Sequence, residues 1–434
     1  MQDPSPNRIN FNRRQIAGNI AALFSSSVVA QAMSVLALML TARILGPEKY
    51  GQYTASFLLA YFASIVVNLG LDTWLLRQGG QQPVRMREWF GSVLAARCVL
   101  GVIWFLAILI FSSLFTSTVF PAQLVQFAAL FVLLEILLFT IITTFKAALR
   151  NILSSILEVL VDFVWLIGTI FLVITGVKQV LDYAQIRLFS ALVIFPVGLV
   201  IIWRIYKPQP TLTIALKSLQ ESPPFAISQF LSMLLMRVDV LIISFALGSY
   251  SAGIYAPAVG LVGALFLFPN AIFMVFTPVL SNLFSIDTRQ AWKTSLRNLG
   301  LQAILGATVS LCVWFGADLI VLLLGDQYLP TAGILKILSP IVFLQSIAFG
   351  LVAIIIAVNL QSMRAFVQAG ATILNILLNV AVVGWAGING VAIVYIITEF
   401  ILVSSYIIIV LNFYFRNKKV ILQPKSSLSS DHPS

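Results

Sequence analysis

The chain has 434 residues, of which 60% are hydrophobic and only 9% charged, with mean hydropathy +1.01 and a formal net charge of +11. A soluble domain carries roughly 25% charged residues, so this composition excludes a water-soluble globular fold. For most of its length the chain's solvent is lipid.

The first eighteen residues, "MQDPSPNRINFNRRQIAG", are polar and basic, and no A-x-A site ends the first apolar run. No cleavable signal is expected, and that run stays as a span. A spanning helix needs about 20 mostly apolar residues. Twelve such stretches follow in chain order, at 19–42, 52–72, 90–112, 122–145, 153–175, 187–206, 224–247, 253–280, 299–324, 332–358, 365–386 and 389–413. Backbone inside a bilayer must satisfy its own hydrogen bonds, so these are helices. The alternation of an outer-membrane barrel is absent.

Lys and Arg set the orientation. With the N-terminus in the cytoplasm, nineteen basic residues fall on the cytoplasmic side, among them Arg8, Arg13, Arg14, Arg85, Arg87, Lys146, Lys293, Lys418, Lys419 and Lys425. Five fall on the other side: Arg43, Lys49, Lys178, Arg187 and Lys336. Arg97 and Arg237 lie inside spans. This bias predicts cytoplasmic termini and an even number of spans. The basic charge is thus a topology signal, and no nucleic-acid partner is expected.

The turn after span one reads "ILGPEKYGQYTAS", and the turn after span seven reads "ALGSYSAGIYAPA". At an offset of 202 they share Leu45/Leu247, Gly46/Gly248, Gly51/Gly253 and Tyr53/Tyr255. Six spans separate them, so both lie on the same, non-cytoplasmic face. This predicts a parallel repeat of two six-helix halves. The glycines permit sharp helix-ending turns, and the tyrosines are expected as anchors at the membrane interface. The expected organisation is a cytoplasmic segment 1–18, bundles at 19–206 and 224–413, a cytoplasmic linker 207–223 and a polar tail 414–434. The fold class is all-α integral membrane, with two six-helix bundles around a central cavity.

Three blocks carry a family resemblance. "TARILGPEKYGQYTASFLLAYFASIVVNLGLDTWLLRQ" (41–78) resembles the A-R-x-L-G-P-x-x-Y-G-x-Y start of the Wzx-like oligosaccharide-flippase families, within the multidrug/oligosaccharidyl-lipid/polysaccharide exporter superfamily. "QFLSMLLMRVDVLIISFALGSYSAGIYAPA" (229–258) is similar to their seventh helix, and "LLLGDQYLPTAGILKILSP" (322–340) to their turn between helices nine and ten. The resemblance implies a flippase for an undecaprenyl-diphosphate-linked oligosaccharide of the exopolysaccharide or O-antigen kind, in the bacterial inner membrane. It implies as partners that substrate, membrane lipid, and polysaccharide polymerase and export machinery.

Charge inside a span costs at least a few kcal/mol, so intramembrane charges face a cavity or pair with one another. The candidates for substrate contact are Arg97, Arg237, Glu135, Glu158, Asp162, Asp239 and Glu399. Arginine suits a diphosphate because its fork donates bidentate bonds. The opposing reading is buried pairing, with Glu135 or Asp162 as partners for the arginines. Two positive against five negative groups do not make a purely cationic cavity; the acids either carry protons, bind sugar hydroxyls or couple to protons. Asp72 reads as a boundary residue at the cytoplasmic end of span two. Asn68, Asn375 and Asn379 either line the cavity or join helices.

Enzymatic activity is not expected. The one histidine, His432, lies in the tail, and no G-x-x-x-x-G-K-[ST] loop is present to bind ATP. Cys98 and Cys312 lack metal-ligand spacing and read as small apolar residues. No cofactor is expected beyond a coupling ion, a proton or sodium. A cation-coupled multidrug exporter of the same superfamily is the alternative, and it would want an acidic cavity. A membrane-embedded glycosyltransferase or polymerase would need catalytic acids beside a large extramembrane loop, which the chain lacks.

Overall fold

The computed structural model describes residues 13–422 apart from 116, without the side chains of 13–24, 228 and 417–422; Arg8, Lys425 and His432 lie outside it. Among the described residues there are fourteen α-helices and no strand. The first half holds α1 (Arg13–Ala63), α2 (Ile65–Asn68), α3 (Leu71–Gln81), α4 (Met86–Leu114), α5 (Ala122–Ala147), α6 (Asn151–Ile174) and α7 (Val180–Tyr206). A short α8 (Leu212–Glu221) links to the second half. That half holds α9 (Pro223–Leu265), α10 (Leu267–Ile286), α11 (Thr288–Gly316), α12 (Leu319–Leu324), α13 (Leu329–Ala357) and α14 (Gln361–Leu422).

Among the described residues, nine continuous helical stretches are long and apolar enough to cross a membrane. Three of them are double, because they bend at Gly46, Gly248 and Gly387, which makes the expected twelve. Large apolar side chains face outward along the spans, such as Ile103, Phe171, Ile304 and Phe366, each more than half exposed. In lipid such faces need no protein cover. Boundaries shift at some spans: the sixth begins at Val180 rather than 187, and the ninth runs over Thr288–Gly316 rather than 299–324.

The repeated turn explains how the halves meet. Gly46 (φ 76°, ψ 169°) and Gly248 (φ 83°, ψ 179°) adopt the same backbone conformation, which only glycine enters without strain. Pro47 then starts the next helix, where its fixed φ and missing N–H cost nothing. Five residues beyond each break, the two copies pack on one another. A Cβ on Gly51 would sit 1.8 Å from the carbonyl oxygen of Ser249, and one on Gly253 would sit 1.7 Å from that of Pro47. Pro47 and Ser249 are themselves equivalent at the offset of 202, so the contact is reciprocal, as across a two-fold axis.

The same face is closed by further bonds between halves. The Tyr328 hydroxyl donates to the carbonyl of Ala42 at 2.8 Å, Arg43 donates to that of Leu323 at 3.3 Å, and Gln327 donates to that of Arg43 at 3.3 Å. Phe120 and Phe245 stack at 4.7 Å between ring centres. The expectation that the tyrosines anchor at the membrane interface is corrected: Tyr53 and Tyr255 are buried, 1% and 0% exposed. Each hydroxyl is engaged by a charged side chain inside the protein, which serves it better than the headgroup layer.

Candidate functional site

Beneath this seal the halves diverge around a cavity of two adjoining lobes. The first, about 380 Å³, is lined by Tyr50, Tyr53, Tyr61 and Arg187 from the first half and by Met233 and Arg237 from the second, with apolar neighbours. The second, about 420 Å³, is lined by Ser64, Asn68, Asp72 and Glu135 from the first half and by Gln229 and Phe230 from the second. Tyr61 and Met233 line both, so the lobes adjoin.

Arg187, counted from the sequence among the charges of the non-cytoplasmic face at the edge of the sixth span, lies inside α7 and is half-buried. Its guanidinium sits 4.5, 4.6 and 4.5 Å from the ring centres of Phe57, Phe131 and Trp165. It also donates to the hydroxyls of Tyr53 and Tyr61, at 3.4 Å each. Three ring faces attract a cation, each by about 0.5–2 kcal/mol, without neutralising it. No carboxylate pairs with it among the described residues, and its buried Nε has no hydrogen-bond partner. The charge is therefore held in place without a direct ion pair, and Glu135 acts on it only from beyond Tyr61. Hydropathy placed it at the outer edge of the span because the apolar run proper starts at Leu188. The run from Val180 is helical all the same, with Asp182 in its first turn, where the helix dipole favours an acid.

Arg237 lies in the span before the Gly248 break and lines the same lobe from the opposite half. Among the described residues it has neither an ion pair nor a hydrogen bond. A Cβ on Gly263 would lie 3.6 Å from its Nη2, so the guanidinium reaches toward the neighbouring span. Asp239 points elsewhere, as two residues on a helix must. It is buried and accepts from the Tyr255 hydroxyl at 2.7 Å and the Val240 amide at 2.8 Å.

The remaining candidates divide. Glu135 lines the second lobe and accepts from Tyr61 at 2.5 Å. Arg97 does not line either lobe, which corrects its reading as a substrate contact. It is fully buried and paired with both oxygens of Asp72, at 2.7 and 2.9 Å, with Thr140 and Asn68 completing its fork. Neither Glu135 nor Asp162 is its partner. Asp72, read as a boundary residue, is that partner because the chain turns left-handed at Leu69 (φ 40°) and Gly70 (φ 68°) and α3 carries it under α4. Glu158 is ion-paired with Lys146, and Asp162 accepts from Ser34 at 2.7 Å. Glu399 is fully buried within the second half, away from both lobes. Asn375 and Asn379 join helices: Asn379 donates to Asn375, and Asn375 to Thr398, at 3.0 Å each. Asn68 lines the second lobe.

Solved structures share this architecture. An inward-facing multidrug resistance MATE family transporter of the MOP superfamily superposes with a TM-score of 0.70, at 17% identity over 90% of this chain and 96% of its own. An outward-facing transporter described in the same terms gives 0.62, at 15% identity over 92% and 96%. The lipid II flippase MurJ in an inward closed conformation gives 0.64, at 14% identity over 93% and 94%. At these identities the likeness is one of fold. No curated protein matches the sequence significantly. A profile of the polysaccharide biosynthesis protein family matches residues 16–284, more than half of the chain. This multi-pass membrane protein, with the fold of the MOP superfamily, belongs to the polysaccharide biosynthesis protein family.

Proposed function

We propose that the protein is a flippase that carries an undecaprenyl-diphosphate-linked oligosaccharide across the bacterial inner membrane by alternating access. One observation supports this above the rest: among the described residues the first lobe is charged only by Arg187 and Arg237, one from each half. A diphosphate supplies two adjacent negative groups, and the arginine fork matches phosphate oxygens. A site shared between halves gives the ligand different contacts in different relative positions of the bundles, as alternating access requires.

The seal through Gly51 and Gly253, together with the higher score against the inward-facing neighbour, supports reading this state as closed to the outside. The basic residues support cytoplasmic termini: a cysteine at Lys49 or Ser251 is expected to label from outside, and one at Arg87 to be protected. A proton or sodium ion is the proposed energy source, read from transport under an imposed gradient of each. A cation-coupled multidrug exporter is favoured by the carboxylates of the second lobe, but the two guanidiniums of the first lobe, neither in an ion pair among the described residues, would repel its cargo.

Purified protein in liposomes loaded with the lipid-linked oligosaccharide tests the reading. Arg237→Ala is expected to abolish flipping while the protein stays folded in the membrane. Arg237→Lys, which keeps the charge and loses the fork, is expected to flip partially. Near-normal flipping by Arg237→Ala would remove this residue from the site.

A further inference from the structure

The two lobes differ in polarity. Among the described residues, the first carries two guanidiniums and no carboxylate; the second is lined by Asp72, Glu135, Asn68 and Gln229, and by no lysine or arginine. Asp72 is neutralised by Arg97, so Glu135 is the free acid of this lobe. Its Oε2 accepts a hydrogen bond from the Tyr61 hydroxyl, which leaves Oε1 as an acceptor. Gln229 is exposed to the cavity and donates to Thr73 at 2.8 Å, so its carbonyl is available. Asn68 accepts from Arg97 through Oδ1, and its amide N–H groups remain as donors. Phe139 and Phe230 add aromatic rings to the lining.

Such a wall repels phosphate. It offers mixed acceptors and donors beside apolar rings, which suits a neutral, hydroxyl-rich ring whose C–H faces pack on aromatics. The volume lies in the roughly 300–1,000 Å³ range of ligand sites. We infer that the second lobe is a sugar subsite, which receives the sugar next to the diphosphate while the first lobe holds the phosphates. This rests on the flippase reading above. Tyr61 is the hinge of the arrangement: it bonds Glu135 on one side and Arg187 on the other, so it stands where phosphate meets sugar.

The test uses the full chain in nanodiscs and two probes. One is undecaprenyl diphosphate; the other is the sugar-bearing form isolated from cells that express the protein. Wild type is expected to prefer the sugar-bearing lipid. Gln229→Ala and Glu135→Gln are each expected to weaken its binding about tenfold, the worth of one hydrogen bond to a strong partner, and to leave the bare lipid unchanged. Gln229 is exposed, so its variant does not disturb packing. An unchanged ratio of the two affinities in both variants, or no preference in wild type, overturns the subsite. Arg237→Gln reports on the underlying reading separately: it should weaken both probes alike. If it weakens neither, the diphosphate site fails while the affinity ratio still judges the sugar lobe.

Discussion

The two copies of the repeated turn share their glycines and part company at their tyrosines. Gly46 and Gly248 break the helix in one conformation, and Gly51 and Gly253 each lie against the other copy's backbone. Tyr53, however, accepts from a cation, Arg187, whereas Tyr255 donates to an anion, Asp239. The glycines do the same mechanical task twice, so symmetry suits them. The tyrosines serve a site that is not symmetric, because the proposed ligand is anionic at one end only. In a duplicated transporter the matching residues mark the frame, and the mismatched partners mark the chemistry.

The arginines carry the contrast furthest. Arg97→Ala would leave the part-buried Asp72, 17% exposed, without its partner and is expected to destabilise the fold by up to about 3–5 kcal/mol, read as lost membrane abundance and a lower unfolding midpoint in detergent. Arg237→Ala strands no acid and should keep normal abundance. Equal abundance of the two variants would erase the distinction between framework and site.

The glycine pair comes next. Alanine at Gly51 or Gly253 forces a carbonyl aside, and overpacking of this kind costs about 1–3 kcal/mol. That shifts the balance away from the sealed state about 5–150-fold. A cysteine at Thr54, which lines the first lobe, should then label faster from the sealed face. Unchanged labelling would show that the seal does not govern access.

The tyrosines give the smallest effects and the finest comparison. Tyr255→Phe removes a buried carboxylate's partner and is expected to cost about 1–3 kcal/mol of stability. Tyr53→Phe loses only a long bond at 3.4 Å, while the three rings still hold Arg187, and should cost under about 1 kcal/mol. Its effect should fall on binding of the lipid diphosphate instead. Equal destabilisation by both would mean that the two tyrosines do the same work.

Much of the frame was legible in the sequence. Hydropathy located the twelve spans, and an offset of 202 located the two turns that seal the halves. Arg237 and Glu135 were legible as cavity residues because a charge in mid-span has few other places to go. Arg187 was not, since a hydropathy window sees where the apolar run begins and not where the helix does. The Arg97–Asp72 pair was hidden by the bend at Leu69 and Gly70, a backbone event that composition does not register. The tyrosines misled because an amphipathic ring satisfies the interface rule and a buried charge equally well.

The central claim is that Arg187 and Arg237, one from each half, hold the two phosphates of a single ligand. A cryo-EM structure of the full chain with the undecaprenyl-diphosphate-linked oligosaccharide bound tests it most directly. The account predicts diphosphate density in the first lobe, with phosphate oxygens about 3 Å from both guanidiniums. Phosphates bound outside that lobe, with both guanidiniums left as they stand here, would contradict it.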